Sequence, residues 1–277
     1  MAVLTAERIL EADIKAALID RLIDSGEISG DAILIDEVPI ADWSRRVDLV
    51  VANGKLQAFE IKSEADSLDR LEGQVENYQR LFDKVTVVCA ERFVESILER
   101  TRDEVSVLVV QSGDGHIFFR QARRGKIMEV TEPSNILALL RRKDMEALLR
   151  EYNRPIPSGA MRNKLEELAS DLPRAALKRA ALAVMKSKYG DVFRAFIEQR
   201  RKTTRTSDLE FLRRRDDETT TTSIPEPQNK AKRVRQRPIL ETNPYAIQLD
   251  PETLKSIIGQ VPADMPRVVL KRAQRIA

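Results

Sequence analysis

Residues 46–62 read Arg46-Val47-Asp48-Leu49-Val50-Val51-Ala52-Asn53-Gly54-Lys55-Leu56-Gln57-Ala58-Phe59-Glu60-Ile61-Lys62, and how this stretch pairs with itself decides the fold. Two apolar-rich runs, 46–52 and 55–61, flank Asn53-Gly54, a strong short-range hairpin signal. Successive side chains point to opposite faces of a strand, so the register settles which residues share a face. A two-residue loop would pair Ala52 with Lys55 and Asp48 with Phe59, mixing acids into both faces. A three-residue loop, with Gly54 in the left-handed conformation, pairs Ala52 with Leu56 instead. That register collects Val47, Leu49, Val51, Phe59 and Ile61 on one apolar face and sets Asp48 opposite Glu60. Burial of the apolar face selects it. The two carboxylates then lie roughly 5 Å apart at their β-carbons. Carboxylates that close repel unless one keeps a proton or a cation sits between them. Lys62, two residues beyond Glu60, shares its face. An all-oxygen pair suits magnesium, manganese or calcium, whereas a lone E-x-K on a strand is ordinarily just a solvated charged patch.

The flanking segments have a regular order. Residues 5–24 read as a helix with Thr5 as its cap, Gly26 past its end, and Leu10, Ile14, Leu18 and Leu22 at helical spacing. Glu11 falls within about 20° of Leu18 and Leu22 at 100° per residue, inside the stripe that should face a sheet. An acid there needs a partner. Residues 32–40 read as a strand, 67–82 as a helix, 84–90 as a buried strand and 91–100 as a short helix. Residues 105–111 and 117–121 form a second hairpin, with His116 as a surface residue of its turn. Gln74 and Tyr78 are four apart on the second helix and share one face. The expected fold is α/β, an α-β-β-β-α-β core with a mixed sheet between helices.

Composition removes several kinds of chemistry. One cysteine, Cys89, excludes an internal disulfide framework and a thiolate zinc cluster; one histidine excludes a multi-histidine metal site. Aromatics at 5% disfavour a stacking platform for single strands. No apolar run is long enough to span a membrane, and no secretory signal is recognisable at the N-terminus, so a soluble cytoplasmic protein with no membrane partner is expected. Net charge is −9 over residues 1–100 and +10 over 141–215, so acids gather where a cation could be held and bases where phosphates could be met.

The basic half reads as helices over 134–152, 160–170, 174–189 and 191–202. Either it is a helix-turn-helix-like unit with Arg174, Lys178 and Arg179 on a nucleic-acid-binding helix, or it is a bundle with a solvated face. The expected domains are 1–130 for the sheet, 131–215 for the basic helices, 216–243 as a disordered linker and 244–277 as a short helical tail with a last helix from 267. A homodimer, or a protein partner met through the C-terminal helices, stays open.

Glu11, Asp48 and Glu60-Ile61-Lys62 on elements in this order resemble the PD-(D/E)XK nuclease superfamily, which has the restriction-endonuclease-like fold. Gln74-Val75-Glu76-Asn77-Tyr78 resembles the Q-x-x-x-Y motif of its RecB-like branch. The string from Arg46 through Ser63 to Phe82-Asp83 is similar to bacterial and phage members of this type and to the repair-associated MmcB-like endonucleases. The likeness covers about residues 5–112; Val47 stands where the eponymous proline would be. The resemblance implies a metal-dependent nuclease acting on nucleic acid, DNA and endonucleolytic cleavage above all. It implies that Asp48, Glu60 and the Ile61 carbonyl bind Mg²⁺ (or Mn²⁺), with Glu11 completing or supporting the metal site. It implies that Lys62 activates water or stabilises the transition state, that Gln74 and Tyr78 orient the strand or the metal site, and that Ser63 and Arg70 can touch substrate. The alternative is a catalytically inactive module of the same fold that grips nucleic acid or a protein.

Overall fold

The computed structural model describes residues 9–40, 45–113 and 115–213, and the backbone of 246–248 and 268–270. Six strands form one mixed sheet in sequential order: β1 (Ile33–Ile40), β2 (Arg45–Ala52), β3 (Leu56–Lys62), β4 (Lys84–Ala90), β5 (Ser106–Gly113) and β6 (His116–Arg123). The first three strands are an antiparallel meander, β3–β4 and β4–β5 are parallel, and β6 returns antiparallel to β5. Parallel neighbours need crossovers; α2 (Leu71–Leu81) supplies the first, and α3 (Val94–Arg100), entered through a 3-10 turn, the second. With α1 (Glu11–Asp24) ahead of the meander, the α-β-β-β-α-β order expected from the sequence is present. All seven residues of β3 are buried, as befits a strand covered on both faces.

The hairpin register is the three-residue one. Ala52 pairs with Leu56 and Leu49 with Phe59, and Gly54 has φ +89°. Val47, Leu49, Val51, Phe59 and Ile61 are all buried. The ladder stops at Leu49–Phe59, so β2 and β3 diverge just where Asp48 and Glu60 face each other.

Several helix limits differ from expectation. In α1 the helix begins at Glu11, because the Asp13 carboxylate accepts the N–H of an extended Leu10 at 3.0 Å; Thr5 lies outside the described residues. In the same way Asp144 accepts the Arg141 N–H at 3.0 Å and splits the single helix expected over 134–152 into α4 (Pro133–Leu137) and α5 (Arg142–Glu151). Conversely, 174–189 and 191–202 are one helix, α7 (Arg174–Gln199), which runs through Gly190. A mid-helix glycine costs about 1 kcal/mol, and burial of Tyr189, Phe193 and Phe196 on either side of it outweighs that. α2 begins at Leu71 rather than residue 67, and His116 opens β6 rather than sitting in its turn. A further helix, α6 (Arg162–Ser170), and a 3-10 turn at Thr206–Leu212 complete this region of the chain.

Residues 1–218 form one compact unit. One apolar core joins the sheet to Met185, Tyr189, Phe193, Phe196, Leu209 and Leu212; a second, with Leu149, Leu165 and Leu177, lies among the helices. α7 contributes to both. Asp83 ties the sheet to the helices, accepting the Leu56 N–H at 3.0 Å, the Val130 N–H at 3.1 Å and the Lys178 ammonium at 3.0 Å. Residues 219–277 form the other unit. Its described residues make two short antiparallel strands, β7 (Ala246–Gln248) and β8 (Val268–Leu270), so the three described residues of the helix expected from 267 are strand. The expected linker at 216–243 lies outside the described residues. No helix among the described residues is long and apolar enough to cross a membrane.

Candidate active site

The divergence of β2 and β3 opens a cleft of about 350 Å³, lined by Glu11, Arg46, Asp48, Glu60, Ile61, Lys62, Asp66, Arg70 and Gln74. Beyond the end of the ladder the Ile61 N–H has no partner on the β2 backbone, and Asp48 Oδ2 accepts it at 2.6 Å. The Ile61 carbonyl projects from the same edge of the strand.

Glu60 is only 1% exposed and needs full compensation. Its Oε1 accepts from the Lys62 ammonium at 2.7 Å and from Gln74 Nε2 at 2.5 Å. Its Oε2 lies 2.7 Å from the Tyr78 hydroxyl, which is also 2.9 Å from the Arg46 carbonyl and can donate to only one of the two at a time. Lys62 donates as well to Gln74 Oε1 at 3.2 Å. The four-residue spacing of Gln74 and Tyr78 thus aims both side chains at one carboxylate. Burial first, then the neighbouring Glu60 charge, drive the Tyr78 phenol far above its usual range, so it stays a neutral donor.

Asp48 is the strained member. Burial, and after it the charge of Glu60, lift its carboxyl to about 7, against the opposing pull of the Ile61 N–H. Near neutral pH it therefore readily holds a proton unless a cation replaces it. Glu11 sits at the rim, its side chain 49% exposed, because α1 starts there beyond the buried stripe of Ile14, Leu18 and Leu22. Partial burial raises its pKa, and Lys15, 3.9 Å away, opposes the rise. Lys15 is itself buried, in an ion pair with Asp36 at 2.8 Å.

Among the described residues no group of three or more acids, histidines or cysteines is close enough to hold a metal ion. Magnesium does not need one: it keeps several waters and is commonly held by one or two carboxylates together with a substrate phosphate. Asp48, one oxygen of which has no hydrogen-bond partner among the described residues, Glu60 beside it and the Ile61 carbonyl form an oxygen-only set that fits such an ion.

The sequence-expected residues Glu11, Asp48, Glu60, Ile61, Lys62, Gln74 and Arg70 all line this cleft. Tyr78 lies beneath it. Ser63 turns inward, with its N–H and hydroxyl both donating to Asp66 Oδ2 at 2.8 and 2.6 Å. Arg174, Lys178 and Arg179 lie on α7 and are not among the lining residues; Lys178 is held by Asp83 and Glu129, and Arg179 by Glu151. Sequence reading missed Arg46 as a cleft residue, although its parity on β2 with Asp48 places both on one face.

Comparison with known proteins gives a family and little else. Residues 5–213 match the model of the family described as bacteriophage P4 protein cII. Protein cII of Enterobacteria phage P4 is 37% identical over 184 residues, which is 66% of this chain and 69% of the phage protein. A solved protein of unknown function from Silicibacter pomeroyi aligns over 56% of this chain and 98% of its own, at 16% identity and a TM-score of 0.35.

Proposed function

The chain belongs to the bacteriophage P4 protein cII family, and from its cleft we propose that it is a metal-dependent nuclease hydrolysing phosphodiester bonds, with DNA as the substrate. The family description names no activity, so the reading rests on the site. The observation that carries it is the convergence of Asp48, Glu60 and Lys62 in one recess, where burial and then the charge of Glu60 raise the pKa of Asp48.

Asp48, Glu60 and the Ile61 carbonyl would hold Mg²⁺ or Mn²⁺, with Glu11 at the rim supporting the site. When bound, such an ion lowers the pKa of water and neutralises phosphate charge. Lys62 is placed by Glu60 and Gln74, so its ammonium can orient the attacking water or offset the negative charge that grows on phosphorus-bound oxygens. Water adds to phosphorus, the bond to the leaving oxygen breaks, and the products are a phosphomonoester and an alcohol. Gln74 and Tyr78 fix Glu60 so that it cannot rotate away. Arg70 meets the strand at the mouth, and Ser63 shapes the turn beside it. No histidine is required, in keeping with a chain that has one.

The rival reading, a non-catalytic binding module, draws on one observation: both oxygens of Glu60 already have partners within the protein. Calorimetric titration with Mg²⁺ and Mn²⁺ separates the two. The nuclease reading expects binding that disappears in Asp48→Asn, and absence of binding to the folded wild type supports the rival.

A further inference from the structure

Glu37 is one of only two non-glycine residues with positive φ among the described residues, at +48°. Such a backbone is costly, and conformations of this kind gather at functional sites. The neighbouring β1–β2 partners are Asp36–Leu49 and Val38–Val47, so Glu37 stands where the partner of Asp48 would be. Its side chain is half-exposed and accepts from Arg46 Nη1 at 3.0 Å; Arg46 is 64% exposed. An exposed pair of this kind contributes little, about 0–1 kcal/mol. Arg46 also lines the cleft that holds Asp48, Glu60 and Lys62. Its carbonyl lies 2.9 Å from the Tyr78 hydroxyl, while its guanidinium, paired with Glu37, is exposed to solvent.

We propose that the Glu37–Arg46 pair is an exchangeable latch at the mouth of the cleft, in which Arg46 leaves Glu37 to grip a backbone phosphate of the nucleic-acid strand. The inference rests on the nucleic-acid reading above. A guanidinium and a phosphate make paired, charge-assisted hydrogen bonds stronger than those of an exposed carboxylate pair in water. Glu37 keeps Arg46 extended along the cleft rim when no strand is present, and it taxes binding by the same amount. The strained backbone holds the carboxylate at that position.

The test uses the full chain carrying Lys62→Gln, with magnesium, so that the probe stays intact. The probes are a fluorescein-labelled single-stranded DNA of about 20 nucleotides, long enough for several phosphate contacts, and the matching duplex. Affinity is read by anisotropy across a potassium chloride series, with melting curves to confirm folding. Arg46→Ala is expected to weaken binding about tenfold, the scale of one charged hydrogen bond. It should also flatten the salt dependence by about 0.9 for duplex or about 0.7 for the single strand, one phosphate contact's share. Glu37→Gln is expected to tighten binding about two- to threefold, and this gain should vanish when Arg46→Ala is added, the scale being that of an exposed pair. An unchanged salt slope in folded Arg46→Ala overturns the latch. So does a Glu37→Gln gain that survives without Arg46, which marks long-range repulsion alone, and so does failure of either probe to bind. Cleavage by the Lys62-bearing protein is scored separately. Its absence alongside an Arg46-dependent slope sinks the nuclease reading and keeps the latch; cleavage with an unchanged slope does the reverse.

Discussion

Replacing Asp48 by Asn should make the protein more stable, and only at higher pH. Unfolded, the carboxyl ionises near its usual 3.8; folded, it is lifted to about 7. Between those values the folded state holds a proton that the unfolded state has lost. By linkage, the wild type therefore loses stability as pH rises from about 4 to about 7, and the loss is complete above that. At about 1.4 kcal/mol for each tenfold change, the ceiling is about 4 kcal/mol. Glu60 shares the burden, and an amide buried at this position still has to satisfy its own N–H groups, so about 2 kcal/mol is the expected net gain. The Ile61 N–H keeps its acceptor, because the Asn carbonyl can replace the Asp48 oxygen that now receives it at 2.6 Å. In a unit of this size that is a rise in Tm of about 4–8 °C. Thermal melts of both proteins in EDTA, from pH 4 to pH 8, give the difference directly. It should be near zero at pH 4 and reach its maximum by pH 8. A difference that is flat across pH, or an Asn variant less stable than wild type at pH 8, refutes the reasoning.

Other consequences are structural. Asp83→Ala strands the Leu56 and Val130 N–H groups and leaves the Lys178 ammonium with Glu129 alone; a loss of about 3 kcal/mol is expected in urea unfolding. Gly125 has φ +67°, and a β-carbon there would meet the Ser106 nitrogen at 2.5 Å, so Gly125→Ala should destabilise by about 2–3 kcal/mol in the same assay. Burial pushes the Cys89 thiol up to about 12; a thiol-disulfide reagent should react with it only at the rate of unfolding, and rapid reaction of the native protein would contradict its placement.

What the sequence could reveal was whatever parity and burial fix. In 46–62, one register keeps the apolar residues together, and the structure has it, with Asp48 and Glu60 at its open end. Gln74 and Tyr78 were legible as a shared helix face, though not as two donors to one carboxylate. Helix limits were missed where an acid three residues in caps an extended residue, as Asp13 does for Leu10 and Asp144 for Arg141; that spacing was available as a signal. α7 was divided at Gly190 because local propensity does not register the burial of Tyr189 and Phe193 on either side of it. The short apolar run Val268–Leu270 suits helix or strand alike, and only its pairing with Ala246–Gln248 decides. The Arg46–Glu37 pair was out of reach, since a positive φ at glutamate has no sequence mark.

Burial and the charge of Glu60 weigh on Asp48, and the proposed cation would offset both. Glu60 is compensated by three donors, whereas Asp48 has a single N–H and a like charge beside it. Carboxyls perturbed in this way gather at functional sites, and the proposed cation would relieve the penalty.

The most direct test is cleavage of supercoiled plasmid and of linear single- and double-stranded DNA by the purified wild type and by Lys62→Ala, in Mg²⁺, Mn²⁺ or EDTA. The account expects products that require both the ion and Lys62. Equal cleavage by folded Lys62→Ala, or none by the wild type in any of these conditions, would contradict it.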